Sequence, residues 1–135
     1  MGNRANVCVK TRGDKVYLYT HWRGTELPEI VRRSLSSQRG RNRWDDSQYL
    51  ARIIFSDMIR DDIDAETGFG ISSKLGDGGD RIVTVDVGEK VVFVNEADYT
   101  FSEFCDLKEA RWPFYPEKYP DDREWAGEQV KNQEP

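Results

Sequence analysis

The sequence predicts an α+β fold: an antiparallel sheet of about five strands, in the order ββααβββα, packed on a central helix, with an extended aromatic and Pro-rich C-terminal segment. Three observations predict it. Residues 6–22 alternate apolar and polar side chains around an Arg12-Gly13-Asp14-Lys15 turn, the pattern of a hairpin. Residues 49–59 repeat apolar side chains over a wide helical arc, as expected of a helix covered on more than one side. Residues 67–95 return to short β-branched runs separated by glycine turns, which reads as an antiparallel meander.

Taken in order, Val7 and Val9 mark the first strand, and Val16, Leu18, Thr20 and Trp22 mark the core side of the second. Leu27, Ile30, Val31 and Leu35 recur at helical spacing behind Pro28, and Pro is accepted in a first turn. Residues 38–43 then break this helix. Asp45 with Gln48 forms a capping-box pattern for the second helix, which runs through Tyr49, Leu50, Ile53, Ile54, Phe55, Met58 and Ile59. Residues 67–71, 81–87 and 91–95 are strands, with turns at residues 76–79 and 88–90. Thr100 with Glu103 opens a last short helix through Phe104 and Leu107. A single α+β domain is expected over residues 1–110, and a Pro/aromatic strap with a polar tail over residues 111–135.

A chain of 135 residues with 37% hydrophobic residues can bury one core without metal or disulfide staples. Cys8 and Cys105 are far apart and form no Cys-x-x-Cys pair, so reduced, buried thiols are expected and neither a zinc knuckle nor a redox motif. No apolar run approaches the roughly 18 residues of a membrane span. Met1-Gly2-Asn3-Arg4 leads straight into a strand, so a cytoplasmic protein without membrane contact is expected. Asn6 stands where a myristoylation signal wants Ser or Thr.

The net charge of −5 conceals a division. Residues 1–43 carry ten Lys/Arg against three Asp/Glu, while the remainder carries ten against twenty-two. That asymmetry predicts opposite electrostatic faces, one for an anionic ligand and one for a basic partner or a second copy of the chain.

The candidate site lies in residues 15–43. Alternation places Tyr17, Tyr19, His21 and Arg23 in a line on the side of the second strand away from Leu18. Phenol rings can stack on a base, and a guanidinium fork matches a phosphate. Arg32, Arg33, Arg39, Arg41 and Arg43 add the densest cationic stretch. The acidic remainder argues against nucleic acid, which calls for a broad basic surface. Asp57 falls inside the apolar arc of the second helix. A carboxylate there needs a partner, either His21 or an arginine at a ligand, or an internal ion pair locking helix to sheet.

Other chemistry finds little material. The glycines of residues 68–79 match neither a P-loop nor a dinucleotide fingerprint. One histidine and no cysteine cluster leave too few ligands for a conventional zinc site. Asp61, Asp62, Asp64 and Glu66 lack EF-hand spacing, no nucleophile elbow is present, and no cofactor is implied.

The patterns Tyr17-Leu18-Tyr19-Thr20-His21-Trp22-Arg23-Gly24, Arg43-Trp44-Asp45-Asp46 with Tyr49 and Arg52, and Thr67-Gly68-Phe69-Gly70-Ile71 resemble a group of small phage and actinobacterial proteins without an assigned activity. The resemblance covers residues 16–87. A phage setting implies action against host defence, by holding a nucleotide-derived immune signal or by blocking a defence protein.

The first expectation is therefore a binding protein, more a sequestering protein than an enzyme, for a phosphorylated, nucleotide-like small molecule. Tyr17 and Tyr19 would stack, His21 would hydrogen-bond, Arg23, Arg41 and Arg43 would hold phosphate, and Asp57 would orient them. A homo-oligomer with ligand between subunits is one version of it. The alternatives are a protein-protein antagonist acting through the acidic surface and aromatic tail, and a small phosphoesterase using His21 and Asp57.

Overall fold

The β1 strand (Ala5–Thr11) and β2 strand (Asp14–Thr20) pair antiparallel as the alternation predicts, with Val7 opposite Leu18 and Cys8 opposite Tyr17. Arg12 takes φ 54° in the two-residue turn between them. The computed structural model describes residues 2–113. Of the predicted C-terminal strap, residues 114–135 lie outside the described residues.

The helical layer follows as α1 (Leu27–Ser36), a single turn α2 (Gln38–Arg41) and α3 (Ser47–Met58). The α2 turn occupies the stretch that the sequence reads as a break. It docks tightly on α1: a Cβ at Gly40 would sit 1.9 Å from the Ser34 carbonyl oxygen, so only glycine fits. The cap of α3 is Asp46, whose Oδ1 accepts the Tyr49 N–H at 3.2 Å. Asp45, the predicted cap, instead reaches Lys90 at 2.5 Å.

Four more strands complete the sheet: β3 (Phe69–Ser72), β4 (Ile82–Asp86), β5 (Val91–Val94) and β6 (Ala97–Thr100). A last helix, α4 (Phe101–Cys105), carries the predicted Thr100/Glu103 capping box. The fold is α+β, but the sheet has six strands in the order β3-β2-β1-β4-β5-β6 and is mixed. The expectation of about five antiparallel strands is roughly met and differs from the sheet in two details. First, β4 runs parallel to β1, Val7 opposite Val83 and Val9 opposite Val85. Second, β3 leaves the meander and pairs with β2 at the far edge, Leu18 opposite Ile71. Strand order is a non-local property that local alternation does not encode.

Pairing register assigns the two faces. Ala5, Val7, Val9, Leu18, Val83, Val85, Val92 and Val94 share one face and are buried in a single cluster with Leu27, Val31, Leu50, Ile54, Met58, Phe101 and Phe104. All the helices that meet the sheet therefore cover this face, and each fully buried side chain contributes about 2 kcal/mol. Asn6, Cys8, Tyr17, Tyr19, Thr84 and Phe93 point the other way. Trp22, expected on the core side, is 55% exposed beyond the end of β2. Both cysteines are unpaired and buried, and burial pushes both thiols above their usual pKa. Among the described residues, no helix is long and apolar enough to cross a membrane.

Candidate binding surface

Tyr17, Tyr19 and His21 lie on the sheet face turned away from the helices, because Leu18 between them enters the core. Tyr19 packs under the loop at residues 76–77, which Asn6 holds in place. Asn6 is fully buried and donates Nδ2 to the carbonyls of Asp77 at 3.0 Å and Gly76 at 3.4 Å, while its Oδ1 accepts the Gly76 N–H at 3.3 Å.

His21 belongs to the same local structure. Its Nδ1 accepts from Arg4 Nε at 3.3 Å and lies 2.9 Å from the Tyr19 hydroxyl. An acceptor at Nδ1 assigns the imidazole proton to Nε2. The Trp22 ring meets the imidazole edge to face at 4.3 Å, and the His21 backbone carbonyl accepts the Asn3 N–H at 2.6 Å. His21 fastens the N-terminal segment to the end of β2.

The remaining predicted residues stand on the helical side. Arg23 donates to Glu26 at 2.9 Å and to the Met58 carbonyl at 3.5 Å, at the C-terminal end of α3, where a cation complements the helix dipole. The Glu26 carboxylate raises its pKa above the usual arginine range. Asp57, only 11% exposed at its side chain, accepts the Ser34 hydroxyl at 2.6 Å and pairs with Arg39 and with Arg60. It therefore ties α1, α2 and α3 together, with no contact to His21. The sheet separates Tyr17, Tyr19 and His21 from Arg23, Arg41, Arg43 and Asp57, so the structure does not bring the predicted ligand site together. The His21–Asp57 pair of the phosphoesterase alternative is divided in the same way. The cause is the packing of α1 and α3 against the Leu18 side of the sheet, with α2 carried on those two helices.

On the helical side a different constellation forms. The Arg43 guanidinium lies 4.6 Å from the centroid of the Tyr49 ring, and Arg41 lies 5.2 Å from that of Trp44. Trp44 is fixed by its indole N–H to the Leu35 carbonyl at 3.0 Å and by an edge contact with Phe101. Tyr49 is 52% exposed, and Arg52, three residues on, is exposed beside it. Positive charge is in surplus here because arginines share acids. Arg39 and Arg60 share Asp57, and Arg32 and Arg33 share Glu29. Arg43 meets Asp46 only at 3.9 Å. Part of the basic bias of residues 1–43, from Arg32 to Arg43, thus stands on the helical side, joined by Arg52 and Arg60 from the acidic part of the sequence, while Arg4, Lys10 and Arg12 lie elsewhere. Tyr49 and Arg52 carry the signal that alternation misses: an aromatic and an arginine three apart, on the outer side of an amphipathic helix.

An open groove of about 500 Å³ lies elsewhere, between the β1–β2 and β4–β5 turns, lined in part by Lys10, Arg12, Asp45, Asp86 and Lys90. Its charges are largely compensated within it, Lys10 by Asp86 at 3.9 Å and Lys90 by Asp45. Among the described residues, no group of three or more His, Cys, Asp or Glu side chains is arranged to hold a metal ion. In comparisons with known proteins, no family profile, no curated protein and no solved structure matches this chain.

Proposed function

We propose that the protein is a binding module that engages an acidic surface on a partner protein through the arginine and aromatic residues of α2 and α3. One observation carries the reading: Arg43 stacked on the exposed Tyr49, with Arg52 alongside, in a patch where arginines outnumber the carboxylates that touch them. Arginine, tyrosine and tryptophan are the side chains that dominate interface energetics. Stacking also holds each guanidinium in place before contact, which lowers the ordering cost of binding. Small-molecule sites are concave, with most of the ligand surface enclosed, whereas Tyr49 and Arg52 stand on the outer side of α3. This favours a macromolecular partner over a captured nucleotide. A blocked defence protein, as the phage resemblance implies, is a partner of this kind.

The test is fluorescence anisotropy of labelled polyglutamate titrated with the full chain at low and high salt. Binding is expected to weaken as salt rises, since screening acts over about 10 Å at 0.1 M. It is expected to fall about tenfold or more in the Arg43→Ala, Arg52→Ala double variant. A nucleotide panel is run in parallel. Saturable nucleotide binding lost in Arg41→Ala and Arg43→Ala, with no response to polyglutamate, would return the sequestering function to first place.

A further inference from the structure

The two edges of the sheet differ in their defences. At the β6 edge, Asp98 is exposed within the strand and exposed Glu96 precedes it, and charge on an edge opposes pairing with another chain. The β3 edge has no such protection. Phe69, Gly70, Ile71 and Ser72 contain neither charge nor proline, and Ile71 is 62% exposed. Trp22, 55% exposed, packs over Gly68, where φ is +96° and a Cβ would strike the indole. Leu75, just past the strand, is 49% exposed.

The hydrogen-bonding groups on this edge follow from the β2–β3 register. His21 donates its N–H to the Gly68 carbonyl at 2.8 Å. In an antiparallel ladder the bonded pairs alternate, so Tyr19 with Gly70 and Tyr17 with Ser72 are the next bonded pairs. Phe69 and Ile71 consequently direct their N–H and C=O groups outward, where no strand pairs with them among the described residues.

We infer that β3 is a homodimer interface, in which two copies of this chain pair β3 with β3 antiparallel about a two-fold axis at Gly70. That register sets Phe69 of each copy opposite Ile71 of the other, so the outward groups meet as bonded pairs, each exchanging both N–H···O bonds. Both side chains then share one sheet face, where Phe69 covers Ile71. The flanks complement each other as well. Glu66 and Lys74 stand four residues on either side of Gly70, both are exposed, and neither has an ion-pair partner among the described residues. Antiparallel pairing carries Glu66 of one copy toward Lys74 of the other, twice over. The two sheets join into one, with both helical layers on the same side and both arginine surfaces left free. A self-complementary patch of this kind is what a two-fold dimer requires.

The inference is independent of the proposed partner binding, and sedimentation equilibrium of the full chain tests it. The wild type is expected at twice its 15.7 kDa mass, and Ile71→Lys at the monomer mass with an unchanged circular dichroism spectrum. Glu66→Lys places lysine against Lys74, and Lys74→Glu places glutamate against Glu66. Each single variant is expected to weaken self-association about tenfold, while an equimolar mixture of the two restores the dimer, because opposite charges then face each other at both ends. A wild type that stays monomeric at all concentrations overturns the inference. So does a dimer indifferent to Ile71→Lys, or two charge variants that gain nothing on mixing.

Discussion

The two faces of the sheet divide the work of the molecule unequally. Under α1, α3 and α4 the face is apolar and sealed, with Val7, Leu18, Val83 and Val92 fully or almost fully buried. On the other face, Tyr17, Thr84 and Phe93 remain partly exposed, and a short loop held by Asn6 covers one corner. Stability is thus concentrated on one side. The cations concentrate there too, but on the outer surface of the helices, one layer removed from the core. Side chains two residues apart on a strand share a face; side chains on a strand and on a covering helix share one only if the strand residue is part of the core.

Phe104→Ala should break the sealed side most severely, by about 3–5 kcal/mol, whereas Phe93→Ala on the open face should cost about 1–2 kcal/mol. Urea unfolding monitored by circular dichroism reads both, and equal losses would erase the distinction between the faces. Asp57→Ala leaves Ser34, Arg39 and Arg60 without their shared acceptor and is expected to cost about 2–3 kcal/mol, measured in the same way.

Acid sharpens the comparison through Glu29, which lies on the helical side. Arg32 first, then the Ala110 backbone amide and Arg33, hold its carboxyl at about 2, well below the ordinary glutamate value of 4.5. A depressed folded-state pKa contributes stability that is complete above the unfolded value and is lost as pH falls toward the folded one, because the unfolded chain takes up the proton first. The contribution should be complete above pH 4.5 and decline as pH falls from there toward 2. Glu29→Gln should cost about 2 kcal/mol at neutral pH and flatten this part of the pH profile of thermal unfolding. The smallest effect on folding is expected for Arg43→Ala, within about 0.5 kcal/mol, although the same change weakens polyglutamate binding.

Much of the architecture was legible because it is local. The hairpin follows from Val7, Val9, Val16 and Leu18, the third helix from its apolar arc, and the last from Thr100 and Glu103. The pairing of β3 with β2, and of β4 with β1, joins residues far apart in sequence, so alternation could not reveal it. Ala97 to Thr100 was missed as a strand because it lacks an apolar run. The period-two rule placed Tyr17, Tyr19 and His21 on one face, yet nothing local shows which face the arginine turn joins. Asp57 was recognisable as needing a partner; that Arg39, Arg60 and Ser34 supply it depends on how three helices meet.

Gly40, which has neither charge nor side chain, governs where the cations stand. Its contact with the Ser34 carbonyl sets the height of the short helical turn above its neighbour, and Arg39, Arg41 and Arg43 are spaced along and just beyond that turn. Even one added methyl group would lift the whole comb of guanidiniums from its seat. The reach of the basic surface is calibrated by the smallest residue within it.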